Sequence, residues 1–155
     1  MGGQVHMSVL IIMGSKSDSA IAEKVTKTLD SLGVTHRSVV ASAHRTPEYL
    51  VKVVKESDAK IFIGIAGLSA ALPGAIASHT HRPVIGVPIS GKVNLDSILS
   101  IIQMPPGVPV AAVGLDNGEN AALLAAEILA LSDPAIDKKL LAYREEKRKA
   151  ILEGG

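Results

Sequence analysis

The chain of 155 residues has no cysteine, which excludes disulfides, thiolate nucleophiles and cysteine-held zinc or iron–sulfur centres. Aromatics are nearly missing too, with one Phe, two Tyr and no Trp. A core must then be built from Ala, Val, Ile and Leu, whose small side chains let secondary elements approach closely. No apolar run is long enough to span a membrane, and no charged N-terminal region precedes a long apolar stretch. A cytoplasmic protein without membrane attachment is expected. Formal net charge is only +1, with no basic block before the C-terminal helix, which argues against nucleic acid as the main partner. Residues 1–7 are expected to be a disordered leader, and residues 8–155 one domain long enough to bury a core.

What is present is an alternation of apolar runs and helical patterns. Residues 8–13 (SVLIIM) read as a strand buried on both faces of a parallel sheet, 60–66 (KIFIGIA) as another apolar strand, and the proline-bracketed 82–88 (RPVIGVP) as a further one. Residues 36–41, with a β-branched segment at Ser38, Val39 and Val40, read as another buried strand, and 108–115 as a fifth. Ile21, Val25, Leu29 and Leu32 form one stripe of a helix ended by Gly33. A second helix begins at Pro47, with Thr46 placed to cap it and Leu50, Val53 and Val54 on one face. A third follows Gly67 and tolerates Pro73 near its first turn. Leu95, Ile98, Leu99 and Ile102 mark a fourth, amphipathic helix, and 117–131 is rich in alanine. Asp133 caps a last helix that is apolar at Ile136, Leu140 and Leu141 and charged from Arg144 to Lys149.

Strands alternating with helices over short loops predict a doubly wound α/β domain. Ligands in such sheets bind beyond the carboxyl ends of the strands, where strand order reverses. The loops at that edge are 14–18, 42–46, 67–72 and 88–94.

Ser42-Ala43-His44-Arg45-Thr46-Pro47 is the most informative of them. It puts an imidazole and a guanidinium at a strand-to-helix junction, where free backbone N–H groups favour an anion. Imidazole gives and takes protons near neutrality, and Arg offers a rigid fork that matches oxyanions. Against this stands a solvated loop pair. Gly14-Ser15-Lys16-Ser17-Asp18 offers a glycine for close approach, two hydroxyls and a helix N-terminus, which are parts for a phosphate monoester. Asp18 can accept from ribose hydroxyls. Alternatively, Ser17 or Asp18 only caps the helix. The loop matches neither a Walker loop nor G-x-G-x-x-G, so a dinucleotide is disfavoured. The segment from Gly67 to Gly74 is small enough to flank a flat ring with backbone groups, or to pack strand on helix tightly. His79 and His81 share a face if extended, but no Asp, Glu or Cys lies near them in sequence, and no metal site is expected.

These stretches, together with Leu72-Pro73-Gly74, Pro83-Val84-Ile85-Gly86-Val87-Pro88, Asp96-Ser97 and Gln103-Met104-Pro105-Pro106-Gly107-Val108-Pro109-Val110, resemble the PurE family of purine biosynthesis. The resemblance runs from about Val9 to the final helix, in order and without large gaps. It implies a flavodoxin-like three-layer α/β/α domain with a five-stranded parallel sheet and an extra C-terminal helix, assembled as a homo-octamer with active sites at subunit contacts. It implies interconversion of N5-carboxyaminoimidazole ribonucleotide and 4-carboxy-5-aminoimidazole ribonucleotide through bound carbon dioxide, without ATP, metal or organic cofactor. Carried over by position, His44 is the proton shuttle and Ser15, Ser17 and Arg45 are phosphate ligands. Asp18 is a ribose ligand, while Ser42 and the Gly67 loop border the ring and carboxylate.

One departure bears on the reaction. The family's main class carries His before Leu-Pro-Gly in the third loop, and here that position is Ala71. The second class, which carboxylates aminoimidazole ribonucleotide directly with carbon dioxide, also lacks that His but usually has Lys where this chain keeps Arg45. The mutase is the expected activity. Direct carboxylation and a non-catalytic nucleotide-monophosphate-binding module are the alternatives.

Overall fold

The computed structural model describes residues 6–154. Three strands are the continuous apolar runs: β1 (Val9–Met13), β3 (Ile61–Ala66) and β4 (Val84–Pro88), with every residue buried. β2 (His36–Val40) and β5 (Ala111–Ala112) complete an all-parallel sheet in the order β2-β1-β3-β4-β5. Helices α1 (Ser19–Ser31), α2 (Pro47–Glu56), α3 (Leu72–Ala77), α4 (Asn94–Ile102), α5 (Gly118–Ala130) and α6 (Pro134–Glu153) surround it. This is the flavodoxin-like order, whose reversal point lies between β1 and β3.

Side chains alternate across the buried strands, so each strand feeds two cores. Val9, Ile11 and Met13 face one layer with α1, α5 and the start of α6, while Leu10 and Ile12 face α2, α3 and α4. The close approach expected of a core without large aromatics is clearest under α3. Gly64 and Gly86 are partners in the β3–β4 register. A Cβ on Gly64 would stand 3.2 Å from Pro73 Cγ, and one on Gly86 would stand 2.5 Å from Ile101 Cγ2. The missing Cβ atoms are what let Pro73 and α4 lie so near the sheet. Helix α1 ends in a Schellman motif: Gly33 at φ +68° donates to Asp30, and Val34 donates to Leu29.

Four expectations change. The Ser38–Val40 segment is not buried: β2 is the sheet's edge, and only His36 and Val39 are even partly covered. The strand expected over 108–115 shrinks to Ala111–Ala112; near its start Pro109 has no N–H to give a ladder. The α4 stripe faces outward, with Leu95 63 %, Leu99 39 % and Ile102 47 % exposed, and the helix seats on Ser97 and Ile101 instead. Thr46 precedes α2 but makes no side-chain cap; its hydroxyl turns back to Ser42. Of the leader expected over 1–7, residues 1–5 lie outside the described residues. Met7 packs against the α2–α4 core, and the His6 carbonyl accepts from Thr35 at 2.9 Å.

Candidate active site

The loops after β1, β2 and β3 meet at the carboxyl edge of the sheet, astride the reversal point. They enclose a cleft of about 430 Å³ lined by Gly14, Ser15, Ser17, Asp18, Ser42, His44, Arg45 and Gly67, among others. All seven side chains or loop positions singled out in the sequence as catalytic or substrate-binding line it.

The β1 loop is shaped by its own polar groups. Ser15 Oγ accepts from the Ser17 N–H at 3.3 Å, and Asp18 Oδ2 accepts from the Ser15 N–H at 3.1 Å, a capping box that closes a 3₁₀ turn over Lys16–Asp18. Asp18 therefore caps this turn and not α1, toward which it makes no side-chain bond. Burial pushes its carboxyl above the ordinary value; the Ser15 N–H, the Ser17 hydroxyl and the charge of Arg45 pull it back without cancelling the rise.

The β2 loop folds around Ser42. Its carbonyl accepts from Thr46 N–H at 3.1 Å and its hydroxyl from Arg45 N–H at 3.1 Å, a tight turn that leaves His44 exposed on the cleft wall. Arg45 reaches across to β1, where Nη2 donates to the Gly14 carbonyl at 3.1 Å. Two of its five N–H donors are so engaged, counting the Nε contact to Ser42 Oγ at 3.4 Å. An adjoining hollow of about 420 Å³ shares Gly14, Ser15, Ser42 and Arg45 with the cleft and adds Lys16 at its rim.

The third wall is the β3–α3 loop, where Ala66, Gly67, Leu68, Ser69 and Leu72 line the cleft. Ala71, in the departure position, immediately precedes α3 and donates to the Ser69 carbonyl at 2.6 Å. This wall is braced by a residue that the sequence does not mark as part of the site. Ser69 N–H is accepted by Asp96 of α4 at 2.8 Å. Farther along the edge, Asp116 accepts both the N–H (2.9 Å) and the hydroxyl of Ser90, which hold its carboxyl below the ordinary range. These partners are 27 and 26 residues apart, so no local pattern announces them.

Among the described residues, no three His, Asp or Glu are grouped to hold a metal, His79 and His81 included, and no helix is long and apolar enough to cross a membrane. His36 is tied to Asp30, with Nε2 2.8 Å from Oδ1, away from the cleft.

Known proteins agree with this architecture over nearly the whole chain. Residues 8–150 match the family model described as AIR carboxylase. An N5-carboxyaminoimidazole ribonucleotide mutase of Methanocaldococcus jannaschii is 57 % identical over 144 residues, covering 92 % of either chain. One of Pyrococcus abyssi is 49 % identical over 144 residues, covering 90 % of this chain and 83 % of the other. Treponema denticola PurE superposes with a TM-score of 0.86 at 35 % identity over 94 % of both chains. A family match spanning three loops, both cores and the cleft between them leaves one assignment: the chain belongs to the PurE (AIR carboxylase) family.

Proposed function

We propose that the protein is a cytoplasmic enzyme of purine biosynthesis that interconverts N5-carboxyaminoimidazole ribonucleotide and 4-carboxy-5-aminoimidazole ribonucleotide, with residues 8–155 as its catalytic domain. The observation that carries this reading is the meeting of His44 with Ser15, Ser17, Asp18, Ser42, Arg45 and the Gly67 loop in one cleft. Names of relatives such as the M. jannaschii mutase support it. Arg45 and the two serines bind the phosphate, and Asp18 accepts from the ribose, its penalised charge stabilised by those hydroxyl donors. The ring lies against the β3–α3 loop.

The chemistry needs one proton moved twice. The imidazolium of His44 protonates the nitrogen that carries the carboxylate, the N–C bond breaks, and carbon dioxide and aminoimidazole ribonucleotide stay in the cleft. C4 then attacks carbon dioxide, and neutral His44 removes the C4 proton, so the imidazole ends as it began. Ala66, Gly67 and Leu68 give this wall little polarity with which to hold water, which favours retention of the gas.

Exposure of His44 on the single chain and the outward stripe of α4 support a site completed by neighbouring subunits. The homo-octamer itself is carried from the family resemblance. Ala71, in place of the main class's His, favours one second reading, direct carboxylation of aminoimidazole ribonucleotide. Product analysis separates the two. Rapid turnover of the N-carboxylated substrate at low bicarbonate is expected, and preferential turnover of aminoimidazole ribonucleotide at high bicarbonate would overturn the mutase.

A further inference from the structure

Among the described residues, two other than glycine hold left-handed backbone, Ser69 at φ 52° and Asp116 at φ 57°, and both lie in loops at the carboxyl edge of the sheet. A side chain resists that conformation, which persists only where the surroundings impose it. At Ser69 the restraint is Asp96, whose Oδ2 accepts the Ser69 N–H at 2.8 Å. A carboxylate on a backbone N–H is a charge-assisted bond, stronger than a neutral one.

Asp96 is itself well anchored. The neighbouring Ser97 is 1 % exposed, and its hydroxyl is shared between the carbonyls of Asn94 (2.9 Å) and Ile89 (3.2 Å). Asn94 accepts the Gly91 N–H at 2.8 Å, and Ser90 is gripped by Asp116. The braces thus run from the loop after β5 to the loop after β4, and through Asp96 to the loop after β3. Ser69, the last residue gripped, lines the same cleft as His44.

We propose that Asp96 is a positioning residue for the reaction: by holding the Ser69 N–H it fixes the β3–α3 loop as the surface against which the heterocycle is set for proton exchange with His44. This rests on the mutase reading above. The phosphate and ribose loops are tied to each other by Arg45 on Gly14 and internally by Asp18 on Ser15, not through Asp96. Losing the Asp96 grip therefore misplaces the ring without releasing the sugar phosphate.

The test is steady-state turnover of N5-carboxyaminoimidazole ribonucleotide by Asp96→Ala and Asp96→Asn, with hydrogen exchange of both variants followed by mass spectrometry. Asp96→Ala should lower kcat by on the order of ten- to a hundredfold with KM within about twofold, the signature of a reactant bound but misplaced. Asp96→Asn, whose carbonyl oxygen still accepts the bond, should recover most of kcat. Amides of residues 67–71 should exchange faster in Asp96→Ala, while 14–18 and 42–46 keep wild-type protection. An unchanged kcat in Asp96→Ala, an equal loss in Asp96→Asn, or faster exchange in all three loops would overturn the proposal. If the wild type fails to turn over this substrate, the mutase reading alone falls, and the exchange pattern still decides whether Asp96 holds the loop.

Discussion

Nη2 of Arg45 donates to the carbonyl oxygen of Gly14 at 3.1 Å, joining two loops that are 31 residues apart in sequence. The guanidinium is thereby set at a fixed angle in the cleft before any anion arrives. Arg45→Ala should weaken binding of 4-carboxy-5-aminoimidazole ribonucleotide by about 1.5–3 kcal/mol, the worth of a charge-assisted hydrogen bond. Arg45→Lys should recover little of it, because an ammonium cannot span Gly14, Ser42 and a phosphate at once. Calorimetric titration of the three proteins decides the matter, and an unchanged affinity in the alanine variant would remove Arg45 from the site.

His44 offers a sharper division between binding and chemistry. His44→Asn keeps a polar group of similar width but cannot shuttle a proton, so kcat should fall by on the order of 10²–10⁴ while nucleotide affinity stays near wild type. Turnover that survives the change would refute the shuttle. A wild type that binds the nucleotide and never converts it would make the protein a binding module.

Asp18 makes a claim about pH. Its carboxyl titrates above the ordinary value because burial outweighs its hydrogen bonds. A raised carboxyl stabilises the fold only below the ordinary value and loses that contribution as pH rises through the folded value. Asp18→Asn, which retains an oxygen for the Ser15 N–H, should therefore melt slightly higher than wild type at neutral pH without ligand. The gap should close on acidification through the carboxyl range, and nucleotide affinity should fall. Thermal melts across pH, with and without product, check both directions; a variant less stable at neutral pH refutes the sign.

Gly86 tests the close approach of α4 to the sheet. A Cβ there would stand 2.5 Å from Ile101 Cγ2 and 3.2 Å from Pro73. Gly86→Ala should cost about 1–3 kcal/mol of stability, as overpacking does elsewhere. Urea titration should show a lower midpoint at an unchanged slope. Wild-type stability would mean that Ile101 can move aside freely.

The elements legible in the sequence were those whose physics is local. β1, β3 and β4 declare themselves because a strand covered on both faces is apolar at every position, and α1 does so through its stripe and the left-handed Gly33. The cleft residues were readable because they cluster in the loops that follow such strands. β2 misled because Val39 and Val40 suit a strand whether or not a neighbour covers it. Helical period in α4 marks an apolar face but not which way it turns, and here Ile101 is taken inward while Leu95 and Leu99 are left outside. Asp96 and Asp116 were not legible as braces because their partners come from other loops.

The placement of β2 has a kinetic corollary. It is one of the sheet's two edge strands, hydrogen-bonded to β1 alone, and the loop that follows it carries His44 and Arg45. Fraying of that margin requires parting a single ladder and leaves β1, β3 and β4 intact. On warming, the loop that bears His44 should detach before the inner strands part, and catalytic competence should fade while most of the molecule is still folded.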